Sequence, residues 1–577
     1  MVSSTQWLAT GTGMSVLERG GNAFDAAVAA GLVLQVVEPH LCGPGGEVPI
    51  VAWSATTRMP FVISGQGPAP QSATIERFRS MGFTQIPGTG VLGACVPGAF
   101  GGWMRLLRDY GTWNVGSVME YAIGYAQRGF PTPPRMAQTI DAIAGTFEEH
   151  WPTSAAHYLG RDRPVAEAIT TNRDLAATYA AIVREAELAG PDRERQVEAA
   201  TRAFYQGFVA AAIDRFGRDT HADATGRQTT ALLTGADMAN WSAGVEAPTV
   251  LGYRGRTVCK TGPWGQGPVL LQQLAILEGF DLGSMGHLSV DWIHTIVETA
   301  KLAFADRDAW YGDPRFTDPP MEDLLSRAYA AERRGLIGET ADSTLRPGSP
   351  GGREPHLPSS WDGPVSGAAR PGAGEPGSHR LGRGDTCHVA VADRFGNMVA
   401  AMPSGAWLQS SPVIPGLGFP LGTRAQMFWL DQDHPNSLQP GKRPRTTLSP
   451  SLVLQDGEPV LAFGSPGGDF QDQWGLLFLL AVLDHGFGPQ QAIDAPAFHT
   501  GHLIGSFDPR PFEPASLYLE QRIPGTTIRE LERLGHRVTV SDPWSLGWLC
   551  AVGRDLRTGL LCAGSNPRDG QGFAAGR

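Results

Sequence analysis

Cysteine is scarce in this chain of 577 residues, and it forms no pattern. Cys42, Cys95, Cys259, Cys387, Cys550 and Cys562 include no Cys-x-x-Cys pair and stand at no spacing from histidine that suits zinc. Neither a disulfide framework nor a structural metal is expected. Positive charge is also short: 46 Lys and Arg against 57 Asp and Glu leave a net charge of −11. That argues against nucleic acid or an anionic membrane as a partner, since both select basic surfaces. The longest apolar run, Leu476 to Leu483, is far too short to span a bilayer. Met1 to Trp7 shows neither the basic nor the apolar segment of an export signal, so a soluble, cytoplasmic protein is expected. There is no P-loop, no His-Glu-x-x-His and no Gly-x-Ser-x-Gly elbow. Gly88 to Gly93 fits Gly-x-Gly-x-x-Gly, but Pro97-Gly98 interrupts before the next predicted helix, about Ala99 to Tyr110, so a dinucleotide site is not supported.

What is present reads as an ordinary globular protein, 42% hydrophobic and 18% charged. Asn22 is placed to cap a helix over Ala23 to Val37 that Pro39 stops, apolar on every face and therefore buried on all sides. A second buried-type helix is predicted from about Val290 to Arg307, capped by Ser289. Val165 to Gly217 is rich in Ala, Glu and Arg at helical spacing. From about residue 344 to Gly384 the composition turns to Gly, Pro, Ser and charge, too polar to bury a core, and a flexible tail or interdomain linker is expected there. Strand character resumes at once. Thr386 to Val391, a turn at Asp393 to Asn397 and a return over Met398 to Met402 predict one hairpin. Ser451 to Leu454 and Pro459 to Phe463 predict another, ending at Gly464-Ser465-Pro466-Gly467-Gly468 ahead of an apolar helix from Gln471 to Leu483. Hairpin-paired strands with helical layers indicate an α+β protein.

One chemical scheme joins the tail, the strand start and the glycine turn. If the Asp385–Thr386 bond is cut, Thr386 gains a free α-amine, with an ordinary pKa near ~8, beside its own hydroxyl. That amine is a general base for the hydroxyl nucleophile. Gly467 and Gly468, just before a helix, expose backbone N–H groups suited to an oxyanion.

Four segments resemble γ-glutamyltranspeptidases: Gly20 to Ala30 through Val37-Glu38-Pro39-His40 to Gly46; Val96-Pro97-Gly98 with Tyr110-Gly111-Thr112; Ile276 to Leu282 with Lys301 to Arg307; and Thr386 to Asn397 followed by Pro440 to Pro444, Leu448-Ser449-Pro450 and Gly464 to Gly468. The resemblance implies a four-layer αββα N-terminal-nucleophile (Ntn) hydrolase fold. The precursor cuts itself into a large subunit, 1–385, whose residues 344–385 form a flexible tail, and a small subunit, 386–577. It implies Thr386 as nucleophile, Ser404 as a second hydroxyl, Thr446 and Thr447 lining the substrate site, Gly467 and Gly468 as the oxyanion hole, and no cofactor. The partners it implies are a small amide or acyl substrate and the two subunits of one precursor, with any further homo-oligomer left open.

Departures from the family pattern bear on substrate. Ile75 stands where an arginine would hold a glutamyl α-carboxylate, Ala406 replaces an asparagine, and Trp429, three residues after Gln426, replaces the acid that would hold the α-ammonium. An apolar or aromatic-lined pocket and an acyl group other than γ-glutamyl are expected, because a buried charge left unpaired is strongly disfavoured. A true γ-glutamyl hydrolase or transpeptidase, a C–C bond-cleaving relative and an unprocessed binding protein remain the alternatives.

Overall fold

The computed structural model describes residues 1–160, 163–359, 386–568 and 571–577. Among these, two large antiparallel sheets carry the architecture. The first has seven strands in the order Phe573–Ala575, Val2–Ser4, Val389–Ala392, Met398–Ala401, Val48–Ser54, Met59–Gly65 and Gly244–Glu246. The second has six: Leu561–Ser565, Cys550–Arg554, Glu458–Gly464, Ser451–Gln455, Arg256–Lys260 and Thr249–Tyr253.

Side chains on a strand alternate between its two faces, and here both faces are covered. Val51, Trp53, Ala390, Ala392, Met398 and Ala400 of the first sheet pack in one apolar cluster with Cys259, Leu452, Leu454, Ala462 and Val552 of the second. The alternate residues Ile50, Ala52, Val389, Val391 and Val399 pack with the helices Ala23–Val37 and Ala99–Tyr110. On the second sheet, Val258, Val453, Leu461, Phe463 and Ala551 pack with helices Pro268–Leu277, Val290–Trp310 and Gln471–Leu483. Burial on both faces is why Val48–Ser54 is an almost unbroken apolar run rather than an alternating one.

Local chemistry sets the element ends. Asn22 accepts from the amides of Phe24 and Asp25, while the Asp25 side chain accepts from the Asn22 amide, a reciprocal capping box. Ser289 caps Val290–Trp310 through the Trp292 amide. The Ala- and Glu-rich stretch forms three helices, Arg173–Leu188, Arg193–Tyr205 and Phe208–Arg218. In the first predicted hairpin, Asp393 accepts from the amides of Phe395 and Asn397, and Gly396 takes φ +92°. In the second, Asp456 and Gly457 both have positive φ, the backbone of a tight two-residue hairpin turn.

The expected tail from 344 to 385 divides. Residues 344–359 have little regular structure, yet they are tied down: the Gly348 amide donates to Asp306 at 2.6 Å and the Ser359 amide to Asp431 at 2.7 Å. Residues 360–385, including Asp385, lie outside the described residues. No helix among the described residues is long and apolar enough to cross a membrane.

Candidate active site

Thr386 enters the first sheet through an isolated antiparallel bridge to Ser404, three residues ahead of the Val389–Ala392 strand. It is wholly buried, and its Oγ1 lies 3.1 Å from Ser404 Oγ. Ser404 is fixed by paired backbone bonds to Glu47, its amide donating at 3.0 Å and its carbonyl accepting at 2.9 Å. Gly405 follows with φ +74°, and a Cβ there would lie 2.6 Å from Glu47 Oε2, so no larger residue fits beside that carboxylate.

Arg424 completes this group. Its Nη2 donates to Ser404 Oγ at 2.6 Å and its Nε to the Glu47 carboxylate, with both side chains almost fully buried. A guanidinium cannot accept a hydrogen bond, so Ser404 Oγ accepts from Arg424 and its single proton is available to Thr386 Oγ1. The guanidinium lies over Trp407 at 4.7 Å and Phe507 at 5.7 Å. Trp407 is itself held by Nε1 donating to the Leu41 carbonyl at 3.0 Å.

The second sheet delivers the glycine turn to this place. The His388 ring presses on Gly464 at the end of strand Glu458–Gly464, where a Cβ would come within 2.6 Å of the ring. Pro466, two residues on, lines a cavity of about 140 Å³ together with Thr386, Glu38, His40, Arg135 and Trp548. Gly467 has φ +126° and Gly468 φ +53°. A Cβ on Gly467 would lie 2.2 Å from Trp474, and one on Gly468 would lie 3.5 Å from Phe507, which puts the turn against the same ring that Arg424 covers. Asp469 fixes the turn by accepting from Arg307 and from both the amide and the hydroxyl of Ser506. Helix Gln471–Leu483 starts just beyond, its N-terminal end favouring negative charge near the turn.

His388 is uncharged at neutral pH: burial, aided by nearby Lys260, pushes its pKa down to about 3. His294, Glu298 and His536 come together, and most of their donor atoms are engaged, His536 Nδ1 having no partner among the described residues. His294 uses both ring nitrogens, on His536 and on the Gly338 carbonyl, and Lys301 pairs with Glu298. All six cysteines are free thiols, Cys42 and Cys387 lying with their sulfurs 3.6 Å apart.

The remaining residues singled out from sequence fall in different places. Thr446 and Thr447 are wholly buried, and their hydroxyls have no partner among the described residues. Gln426 donates to Thr423 Oγ1 at 3.2 Å, while its own Oε1 has no partner among the described residues. Ala406 is buried with φ +50°, its carbonyl 2.7 Å from where a Cβ on Gly43 would stand. Ile75 packs in an apolar cluster with Phe78, Ala425 and Phe428. Trp429 is nearly buried, but its face carries the Arg510 guanidinium at 3.6 Å. Trp429, expected to line an apolar or aromatic pocket, therefore carries a buried cation on its ring.

Sequence reasoning missed Glu47, Trp407, Arg424, Phe507 and Arg510. The one local signal was Arg424 itself, a lone charge inside the otherwise uncharged run from Val413 to Leu430.

The gamma-glutamyltranspeptidase family model matches residues 9–576. The chain is 32% identical to the glutathione hydrolase-like YwrD proenzyme of Bacillus subtilis (strain 168), covering 100% of this chain and 98% of that one. It is 31% identical to the acylase ACY 1 proenzyme of Pseudomonas sp. (strain SE83), covering 96% and 89%. The solved structure of LmbA2991HD superposes with a TM-score of 0.94 at 50% identity, covering 100% of this chain and 98% of that one.

Proposed function

The chain belongs to the gamma-glutamyltranspeptidase family, whose members here are hydrolases and acylases made as proenzymes, and from that premise we propose that it is an Ntn amidohydrolase or acyltransferase that cuts itself before Thr386. The alternating packing of the two sheets against each other and against helices supports the four-layer αββα reading of the fold. Residues 1–385 become the large subunit and 386–577 the small one. The pieces stay together because both sheets mix strands from each side of the cut: Val389–Ala392 lies between Val2–Ser4 and Met398–Ala401.

In the matured enzyme the freed α-amine of Thr386 takes the hydroxyl proton as Oγ1 attacks the acyl carbon. The Gly467 and Gly468 amides receive the oxyanion. The amine leaving group departs with the proton, and water or another amine then resolves the acyl-enzyme. Ser404 donates to the nucleophile oxygen, and Arg424 keeps that donation oriented. Thr446, Thr447 and Gln426 supply hydroxyl and carbonyl groups to the substrate wall. The observation that carries this reading is Thr386 Oγ1 at 3.1 Å from a Ser404 hydroxyl that Arg424 binds from behind.

The acyl group is not γ-glutamyl, since Ile75 and Trp429 offer neither the cation nor the anion that an amino-acid end requires. Denaturing mass analysis of the wild type beside Thr386→Ala tests the scheme. Two fragments, the smaller starting at Thr386, and an intact variant are expected; a single chain in both after long incubation rules out the nucleophile. Turnover of γ-glutamyl-p-nitroanilide faster than of other acyl anilides would restore the γ-glutamyl reading.

A further inference from the structure

Two thiols meet one residue from Thr386. Cys42 and Cys387 are wholly buried, and the Cys42 thiol donates to Cys387 Sγ at 3.6 Å. Cys387 in turn donates to Glu38 Oε2 at 3.0 Å, so a proton acceptor already stands against its sulfur. Both cysteines are tied to the backbone that carries Ser404: Cys42 bridges Gly405, and the Cys387 amide donates to the Pro403 carbonyl at 3.0 Å. Their chain neighbours Leu41 and Thr386, together with Glu38, line the cavity of about 140 Å³. That space admits a molecule little larger than water, while burial closes the sulfurs to bulky reagents. Burial first, then the contacts with Cys42 and Glu38, raises the pKa of the Cys387 thiol. Its proton must therefore leave as the sulfur reacts, because the thiolate is the nucleophilic form.

The pair also lies on both sides of the proposed cut, Cys42 within residues 1–385 and Cys387 within 386–577. We propose that Cys42 and Cys387 are a redox switch: a hydroperoxide joins them in a disulfide that links the two subunits and shifts Thr386 from its contact with Ser404, and a thiol reductant reopens it. With hydrogen peroxide, Cys387 Sγ attacks one peroxide oxygen as Glu38 takes the thiol proton. An S–O bond forms, the O–O bond breaks, and the departing hydroxide recovers that proton from Glu38 as water. Cys42 Sγ then attacks the sulfenic acid on Cys387. The S–S bond forms, the S–O bond breaks, and the hydroxide leaves with the Cys42 proton as a second water. The two thiols lose two electrons and the peroxide gains them. Joining brings the sulfurs from 3.6 Å to the ~2.0 Å of a disulfide, and the 386–387 backbone follows. Thr386 Oγ1 now stands 3.1 Å from Ser404 Oγ, and a misplacement of ~1 Å at a reacting group can cost ~100-fold in rate. The effect on turnover rests on Thr386 being the nucleophile; the disulfide itself does not.

The test uses Cys562→Ser, which removes the one exposed thiol of the six and leaves five. Excess hydrogen peroxide should lower the free thiols counted after denaturation from five to three, the two lost being Cys42 and Cys387. Peptide mapping without reductant should find those two joined. On a non-reducing denaturing gel the subunits should run as one band and separate after dithiothreitol. Turnover of whichever acyl anilide the protein cleaves should fall at least ~10-fold on oxidation and return with dithiothreitol. Adding Cys42→Ser, which keeps a donor at that position, should preserve turnover and remove the response to peroxide. Cys42→Ala replaces it if the serine protein does not fold, and the mapping requires neither variant. Five thiols still free, sulfinic acid in place of the link, or a linked enzyme with undiminished turnover overturns the proposal. So does inactivation that persists without Cys42. A chain that is never cut yet forms the link sinks the reading of Thr386 as nucleophile and keeps the thiol pair. A cut enzyme that forms no link sinks only the switch, and an uncut chain with no link sinks both.

Discussion

Replacing Arg424 separates two roles that its guanidinium combines. Nε pairs with the Glu47 carboxylate, and Nη2 donates to Ser404 Oγ at 2.6 Å, with both partners buried. Arg424→Met removes both contacts and leaves Glu47 without its guanidinium partner. Breaking a buried pair in this way costs about 3–5 kcal/mol, so this variant should fold and self-cleave poorly. Arg424→Lys keeps a positive charge for Glu47, but a single ammonium cannot reproduce the fork that holds Glu47 and Ser404 together. Its stability should stay close to the wild type while the bond to Ser404 is lost. A charge-assisted bond of this kind contributes about 1.5–3 kcal/mol, and each ~1.4 kcal/mol is a factor of ten in rate. The expected result for Arg424→Lys is therefore a fall in kcat of roughly 10- to 150-fold with little change in KM, because the contact acts on the nucleophile and not on the bound acyl group. The assay is steady-state hydrolysis of whichever acyl anilide the wild type cleaves, on protein shown by mass to be fully cut. A self-cleaved Arg424→Lys enzyme with wild-type kcat would refute the argument that Arg424 orients Ser404.

Other outcomes follow from the same geometry. Gly467→Ala places a methyl 2.2 Å from Trp474 at φ +126°, whereas Gly468→Ala meets nothing nearer than 3.5 Å at φ +53°. Strain plus overpacking should cost the first about 2–6 kcal/mol and the second about 1–2, read as the order of melting temperatures; equal melting would contradict the packing described here. Burial holds His388, His434 and His499 neutral with pKa values pushed down to about 3. Below the unfolded value of ~6.5 the unfolded chain binds more protons, so stability falls as pH drops from 6.5 towards 3, by up to ~2 kcal/mol per ring at pH 5. Melting should fall between pH 7 and 5, and since the His499 ring nitrogens have no partner among the described residues, His499→Phe should flatten that slope; a wild type insensitive to pH over this range would show that these rings are not neutral and buried. Five of the six cysteines are buried and only Cys562 is exposed. Ellman titration should find one reactive thiol in the native protein and six after denaturation; three or more in the native state would contradict the burial.

Much of this protein was legible from residue order. The helix Ala23–Val37 declared itself through Asn22, Pro39 and fifteen residues without a polar face. Both hairpins were readable because alternation and turn chemistry are local properties: Asp393 and Gly396 close one, Asp456 and Gly457 the other. Thr386, Ser404 and the glycine pair stood out because the segments that resemble the family lie close along the chain on either side of the strands they serve. Tertiary structure decided the rest. Glu47 and Arg424 are separated by 377 residues, and the Gly464 position against His388 depends on two sheets meeting face to face. Arg510 and Trp429 meet across 81 residues, in a turn no periodicity marks. An arginine in sequence is an ordinary surface residue until the fold buries it, and only then do its partners acquire a meaning. Sequence therefore marked the candidate nucleophile and the strands and turn around it, while the grip of Arg424 on Glu47 and Ser404 was set by contacts between segments distant in the chain.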